Sequence, residues 1–287
     1  MTVRHYFMQI STKGNFCEVS RKLNFIRRRE DSLRSSINFR TFSEVPGSAS
    51  GTESLYPKIV VFGGRGFVGS HICKEALNSG LKVIGISRSG TSPITNESWT
   101  REVEWVRGNV LEPKTYQSYL KGAVAAISCV GGFGNQEDML KINGTANVTA
   151  VETAKAEGVP RYVFISATIP NLPGLGFILS GYVNGKAQAE DAVRRNYPDT
   201  GVSLRPGVVY GDRVISSSLT IPLGYAFQPL ESLLLRAPKN LVELPVVGGL
   251  FVPPINVEAV ARAAVAAATD SSVPAGIMDV STIQNYK

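Results

Sequence analysis

The stretch Lys58-Ile59-Val60-Val61-Phe62-Gly63-Gly64-Arg65-Gly66-Phe67-Val68-Gly69-Ser70 decides the fold. Ile59 to Phe62 is a short apolar, β-branched run, the pattern of a parallel strand buried on both faces. Glycines follow at Gly63, Gly64, Gly66 and Gly69, and Ser70 to Asn78 reads as a helix closed by Ser79-Gly80. Strand, glycine turn and helix in this order let the backbone approach a pyrophosphate, which rests on free N–H groups at the helix N-terminus. Gly63, Gly64, Arg65, Gly66, Phe67, Val68 and Gly69 are therefore expected to hold a dinucleotide. An ordinary βα turn can also carry glycines; the strand before and the helix after separate the two readings.

Outward from this turn, the chain keeps the same rhythm. Strands are expected at Leu81–Ser87, Val103–Arg107, Ala123–Val130, Arg161–Ala167 and Val202–Arg205, with a last one at Gly276–Val280. Helices are expected at Met139–Ala156, Tyr182–Asn196 and Glu258–Thr269. Such alternation implies parallel βαβ units and an α/β, doubly wound parallel sheet. Residues 211–256 break the rhythm with Pro, Gly and Leu, and read as a small C-terminal cap over the strand ends. No internal repeat is present. Residues 58–287 are thus the nucleotide-binding domain, and 43–57 its Gly-, Ser- and Pro-rich lead-in.

The charge is unevenly placed. Residues 1–42 hold nine Lys/Arg against three acids, so most of the net charge of +7 belongs to them. A basic arm can bind nucleic acid, but this one is Ser-rich, poor in acids and lacks the apolar core of a secretory signal. It reads as an organelle transit peptide, mitochondrial first and plastid second, and no nucleic-acid partner is expected. Cys17, Cys73 and Cys129 show no metal-ligand spacing and read as reduced core residues. No apolar run reaches the ~18 residues of a membrane span.

The end of the second strand selects the nucleotide. An acid there holds the ribose 2′-hydroxyl of NAD; this chain has Ser87-Arg88. A guanidinium suits the 2′-phosphate of NADP, and Arg65 is within reach of the same phosphate. Asn109, after the third strand, is placed to bond the adenine amino group. NADP(H) is expected over NAD(H).

Tyr182 and Lys186 are four apart, on one helix face a turn from each other. A free phenol, with a pKa of about 10, is a poor proton donor near neutrality, and a nearby ammonium is expected to lower it. Lys186 can also bond the nicotinamide ribose. Ser166, at the end of the fifth strand, can hold a substrate carbonyl beside the phenol. These groups sit at the carboxyl edge of the expected sheet, where such folds bind ligands.

Together these residues resemble the short-chain dehydrogenase/reductase superfamily, in its extended or atypical branch. The resemblance covers about residues 58–281 and rests on Gly63–Gly69, Asn143, Ser166, Tyr182 with Lys186, and Arg205-Pro206-Gly207. It implies a proton relay through Asn143 and a Pro206-Gly207 segment against the nicotinamide. Val130-Gly131-Gly132-Phe133-Gly134, Tyr182–Lys186 and Pro253-Pro254-Ile255-Asn256-Val257 look like mitochondrial atypical members. Those include the NADPH-binding accessory subunit of respiratory complex I and the accessory protein of the coenzyme Q biosynthetic complex. The resemblance implies either an NADP(H)-dependent oxidoreductase for a lipophilic carbonyl or quinone-pathway intermediate, or a nucleotide-binding accessory subunit of a mitochondrial complex. Leu172–Leu179 and Leu223–Leu235 are apolar enough for a greasy pocket or a peripheral membrane contact, and equally for core and lid packing.

Arg40-Thr41-Phe42-Ser43 resembles a mitochondrial processing site, with Arg two residues before the bond. N-terminal sequencing of the imported protein is expected to begin at Ser43 or a few residues later; an intact Met1 end on that protein refutes the leader.

Overall fold

A computed structural model describes residues 56–93, 97–169, 174–216, 219–222, 231–234 and 252–287. The expected leader, most of the lead-in, Cys17, Leu172-Pro173 and most of the 211–256 cap lie outside the described residues. Residues Ser54–Lys287 form one compact unit.

Its centre is a seven-stranded parallel sheet. The strands are β1 (Lys58–Phe62), β2 (Lys82–Ser87), β3 (Glu104–Arg107), β4 (Ala123–Ser128), β5 (Tyr162–Ile165), β6 (Gly201–Leu204) and, after the short strands described below, β11 (Gly276–Met278). They lie in the order β11-β6-β5-β4-β1-β2-β3. The chain therefore starts in the middle and winds outward to both edges, which opens a crevice at the carboxyl ends of β1 and β4. In register, Phe62 stands beside Ile86 of β2 and Ser128 of β4.

Burial on both faces explains the unbroken apolar strands. Ile59 and Val61 enter one core with Ile127 and Val163, beneath helices α1 (Phe67–Asn78) and α7 (Val257–Thr269). Val60 and Phe62 enter the other, with Tyr116, Phe164 and Ala189, beneath α4 (Ala146–Ala156) and α6 (Ser180–Asn196). The Ala-rich face of α7 lets it press against α1 and the strands. Truncating a side chain such as Phe164 in these cores costs about 3–5 kcal/mol. On the outer flank, Gly85 of β2 leaves room for the Trp105 ring of β3. Trp105 donates to Thr100 O at 2.8 Å, and its ring centroid lies 6.3 Å from that of Trp99.

Several expected boundaries move. Helix α1 begins at Phe67, not Ser70, because Gly69 packs as a helical residue inside the turn. The helix expected at Met139–Ala156 starts as α3 (Gln136–Leu140), passes through a π-helical turn (Lys141–Thr145) and continues as α4. A π turn leaves carbonyls out of register, and the buried Asn147 side chain supplies the donor. Its Nδ2 donates to Ile142 O at 3.2 Å, Asn143 O at 2.9 Å and Val130 O at 3.1 Å. The last strand stops at Met278; Asp279 then accepts from Thr282 N at 2.9 Å and caps α8 (Val280–Gln284), where strand was expected to run on to Val280. The small helices α2 (Gln117–Leu120) and α5 (Leu175–Ile178) were not expected.

Just before the expected cap, β7 (Val209–Tyr210) pairs in parallel with β10 (Ile255–Asn256) at the cap's end, and within it β8 (Asp212–Ser216) forms a hairpin with β9 (Leu219–Pro222). Among the described residues no helix is long and apolar enough to cross a membrane.

Candidate functional site

The glycine turn is built by one carbonyl. Gly63 has φ +76°, a left-handed backbone that favours glycine. Its N–H donates to Ile86 O at 2.8 Å and its carbonyl accepts from Gly66 N at 2.9 Å. The same carbonyl oxygen occupies the place a Cβ on Gly69 would need. Gly66 is different: it is exposed, and a Cβ there meets only Gly63 O, at 3.1 Å. Gly66 caps α1 with no side chain, and the first turn holds no acid. Arg65, Phe67 and Val68 leave this opening exposed or half-buried. The N–H groups of that turn therefore face outward without a competing carboxylate, which is the electrostatic requirement of a pyrophosphate.

The loop after the second strand carries one arginine and accepts a hydrogen bond from another. Ser87 shapes the turn there, its hydroxyl accepting from Gly90 N at 3.1 Å, and Arg88 projects into solvent from that turn. Arg65 reaches across to donate to Ser92 O at 3.2 Å, in the same loop. Asn109 is used mostly at home. Its Nδ2 donates to Glu112 Oε1 at 2.6 Å and its Oδ1 accepts from Leu111 N at 3.2 Å. One lone pair of Oδ1 is left for an adenine amino hydrogen.

The second half of the crevice gathers the residues expected to do chemistry. Ser166 follows β5 directly; its N–H donates to Leu204 O at 2.7 Å, while its buried Oγ has no hydrogen-bond partner among the described residues. The neighbouring carbonyl, Ile165 O, accepts from Lys186 Nζ at 2.8 Å. Lys186 also lies 4.7 Å from the Phe164 ring centre and 5.7 Å from that of Tyr182. One bond thus ties the end of β5 to the helix that carries the phenol. Arg205, just past β6, braces the same helix with a two-pronged ion pair to Glu190. Pro206 is buried behind it and accepts from Thr168 N at 2.7 Å.

Electrostatics differ from the sequence expectation. Burial holds the Lys186 ammonium down to about 8 from its ordinary 10.5, with Cys129 and Glu190 acting weakly the other way. Burial raises the Tyr182 phenol above its ordinary value, rather than the lysine lowering it. The reason is that Lys186 spends its hydrogen bond on Ile165 O and is itself desolvated. The Cys129 thiol is pushed up to about 12 by burial, so it is no nucleophile.

Asn143 is fully buried and clamps the loop after β4. Its Nδ2 donates to Gly132 O and Met139 O, both at 2.8 Å, and its Oδ1 accepts from Gly132 N at 3.2 Å. Gly131 lacks a side chain because a Cβ would press on Asn143 Oδ1 at 2.9 Å and Lys186 Nζ at 3.3 Å. The clamp presents Phe133, 73% exposed, whose ring stacks on Tyr182 with centroids 4.9 Å apart and planes at 7°. The sequence marks no role for Asn147, Glu190 or Gln136, and marks Phe133 only as part of the Val130–Gly134 motif; Phe133, Glu190 and Gln136 act through partners far along the chain.

A family described as NAD(P)H-binding matches residues 63–213, the span that holds all of these features except the last strands. The chain belongs to this NAD(P)H-binding family. An uncharacterized chloroplastic protein of Arabidopsis thaliana is 44% identical over 217 residues, 74% of this chain and 72% of its own length. The mitochondrial protein FMP52-1 of Scheffersomyces stipitis is 30% identical over 167 residues, 55% of this chain and 70% of its own. The Bordetella bronchiseptica enzyme WbmH, solved with NAD+, matches at a TM-score of 0.54 and 20% identity over 78% of this chain and 74% of its own, which shows the Rossmann fold. The expected NAD(P)-binding Rossmann domain is what this family and this fold show. Organellar relatives fit a mitochondrial protein, with a plastid as runner-up. Among the described residues no His, Cys, Asp and Glu cluster can hold a metal.

The turn predicts two opposite outcomes for one methyl group. Gly69→Ala is expected to lose roughly 1–3 kcal/mol of stability, because helix and turn must part. Gly66→Ala is expected to melt like wild type and bind NADPH at least ten-fold more weakly. Thermal melts with a nucleotide fluorescence titration check both.

Proposed function

We propose that the protein is an NADP(H)-dependent reductase of mitochondria that acts on a lipophilic carbonyl, quinone-pathway intermediates included. The observation that carries this is the unpartnered, buried Ser166 hydroxyl beside the Lys186–Ile165 bond, on the helix that holds Tyr182. A bound NADPH supplies hydride to the carbonyl carbon. Ser166 Oγ donates to the carbonyl oxygen and holds it near the phenol. Tyr182 delivers the proton that this oxygen takes up. Lys186 fixes the end of β5 and, when charged, assists the phenol as it loses its proton. Phe133 and the exposed Phe177 and Ile178 make the rim apolar, which supports a lipophilic substrate and a peripheral membrane contact. Arg88 and Arg65, with no acid at the end of β2, support NADP(H) over NAD(H).

The second reading is a nucleotide-binding accessory subunit of a mitochondrial complex. It is favoured by Asn143, both of whose amide hydrogens are spent on Gly132 O and Met139 O. That leaves no amide donor for the proton relay implied by the resemblance.

Arg88→Ala is expected to weaken NADPH binding roughly ten- to a hundred-fold and leave NADH nearly unchanged, since a charge-assisted bond is worth about 1.5–3 kcal/mol. An unaltered preference in paired titrations makes Arg65 the reader of the phosphate.

Tyr182→Phe is expected to lower turnover roughly 10²–10⁴-fold with nucleotide binding intact. The proton on Lys186 leaves near pH 8 in the folded protein and at 10.5 ordinarily, so kcat/KM is expected to fall above about pH 8. Because the unfolded chain holds that proton longer, this group's penalty on the fold fades as pH rises from 8 to 10.5. Lys186→Met is expected to flatten the activity profile. A Tyr182→Phe variant that fully restores respiration and quinone content in cells lacking the protein sinks the reductase and leaves the accessory subunit.

A further inference from the structure

Helix α6 carries Tyr182 as its third residue, yet nothing of its own caps it. Its N-cap, Leu179, offers no side-chain acceptor. An uncapped helix leaves its first N–H groups unsatisfied and frays within a turn. Here the acceptor comes from α3: Gln136 Oε1 accepts from Gly181 N at 2.6 Å and from Ser180 Oγ at 2.9 Å. The other arm of the same amide faces the preceding helix. Gln136 Nε2 donates to Ile178 O at 2.8 Å and Phe177 O at 3.2 Å, the carbonyls that close α5. Gly181 is obligatory for this contact, because a Cβ there would run into the Gln136 carbonyl oxygen.

We infer that Gln136 is the positioning residue of the reaction proposed above: its amide fixes both the helix that aims the Tyr182 phenol and the apolar rim beside it. This rests on the reductase reading for its catalytic consequence. Its geometric content stands alone. The oxygen arm sets the first turn of α6, one residue ahead of the phenol. The nitrogen arm holds the backbone of Phe177 and Ile178, 85% and 63% exposed. Helix start and rim therefore move together. Asn135 supplies the rigidity beneath them: its Oδ1 accepts from Asp138 N at 2.8 Å and caps α3 itself.

The two arms can be separated by substitution. Gln136→Ala removes both. Gln136→Glu keeps an acceptor at a helix N-terminus, where a carboxylate is favourable, but loses the donor to the two carbonyls. Two readouts on the full chain decide the matter. The first needs no turnover: the ultraviolet titration of Tyr182, isolated by subtracting the same titration of Tyr182→Phe. The second is steady-state reduction of phenanthrenequinone by NADPH, a lipophilic carbonyl probe. For Gln136→Ala the Tyr182 titration is expected to shift down towards the ordinary phenol value, as the first turn opens to water. Its kcat is expected to fall roughly ten- to a hundred-fold, the effect of a misplaced catalytic group. Gln136→Glu is expected to restore the titration and most of kcat, while KM for the probe stays raised several-fold.

A Gln136→Ala variant that melts earlier but titrates like wild type overturns the inference, since Gln136 then only stabilises the fold. Should Gln136→Ala fail to fold, Gln136→Met keeps the side-chain length and is read by the same criteria. If wild type does not reduce the probe, the reductase reading is what fails, and the titration alone decides for or against Gln136.

Discussion

One carbonyl oxygen, that of Gly63, stands where the side chain of residue 69 would otherwise be. Everything at the nucleotide end follows from this contact. It brings the first turn of α1 down onto the end of β1. It puts that turn's unsatisfied N–H groups at the edge of the sheet. The left-handed Gly63 makes the contact possible, and the Ile86 carbonyl of β2 holds Gly63 in place. The outward-facing N–H groups of this turn are thus a product of tight packing, not of charged side chains.

The other half of the crevice is held by amides. Asn143 grips the glycine loop, Asn147 satisfies the carbonyls released by the π turn, and Gln136 joins α5 to α6. Ser128 Oγ donates to Asn147 Oδ1 at 2.6 Å, which connects this network to the sheet. Neutral amides suit the place. The buried Asn143 and Asn147 satisfy backbone groups from both ends without the desolvation cost of a charge. Lys186, a buried cation, is tolerated because Ile165 O accepts a hydrogen bond from its ammonium and the Phe164 ring lies beneath it.

How much of this was legible in the sequence depended on the range of each interaction. The strands were, because burial on both faces leaves a local record in runs such as Ile59–Phe62. The glycine turn was, because a left-handed residue and a missing Cβ admit few other amino acids. The start of α1 was not: a glycine inside a helix looks like a turn until its packing against Gly63 is seen. The expected last strand ran two residues too far, into the cap and first residue of α8, because Asp279 can be recognised as a cap only once its bond to Thr282 is known. Ser166, Tyr182 and Lys186 were placed correctly at one edge by the alternation of strands and helices. Their electrostatics were not, since the Tyr182 phenol responds to burial by residues as distant as Phe133. Gln136 left no trace, because its four partners lie more than forty positions away.

The pairing of Trp99 with Trp105 beside Gly85 gives the molecule a natural optical asymmetry. These are the chain's two tryptophans, and both sit on the β2–β3 flank that also carries Arg88. The Tyr182 side of the crevice contains none. Indole emission therefore reports from the flank where a 2′-phosphate would be read, and is silent about the flank where a carbonyl would be reduced. A nicotinamide's own emission reports from the second flank. The two signals, recorded on one unlabelled sample, separate the arrival of the nucleotide's two ends.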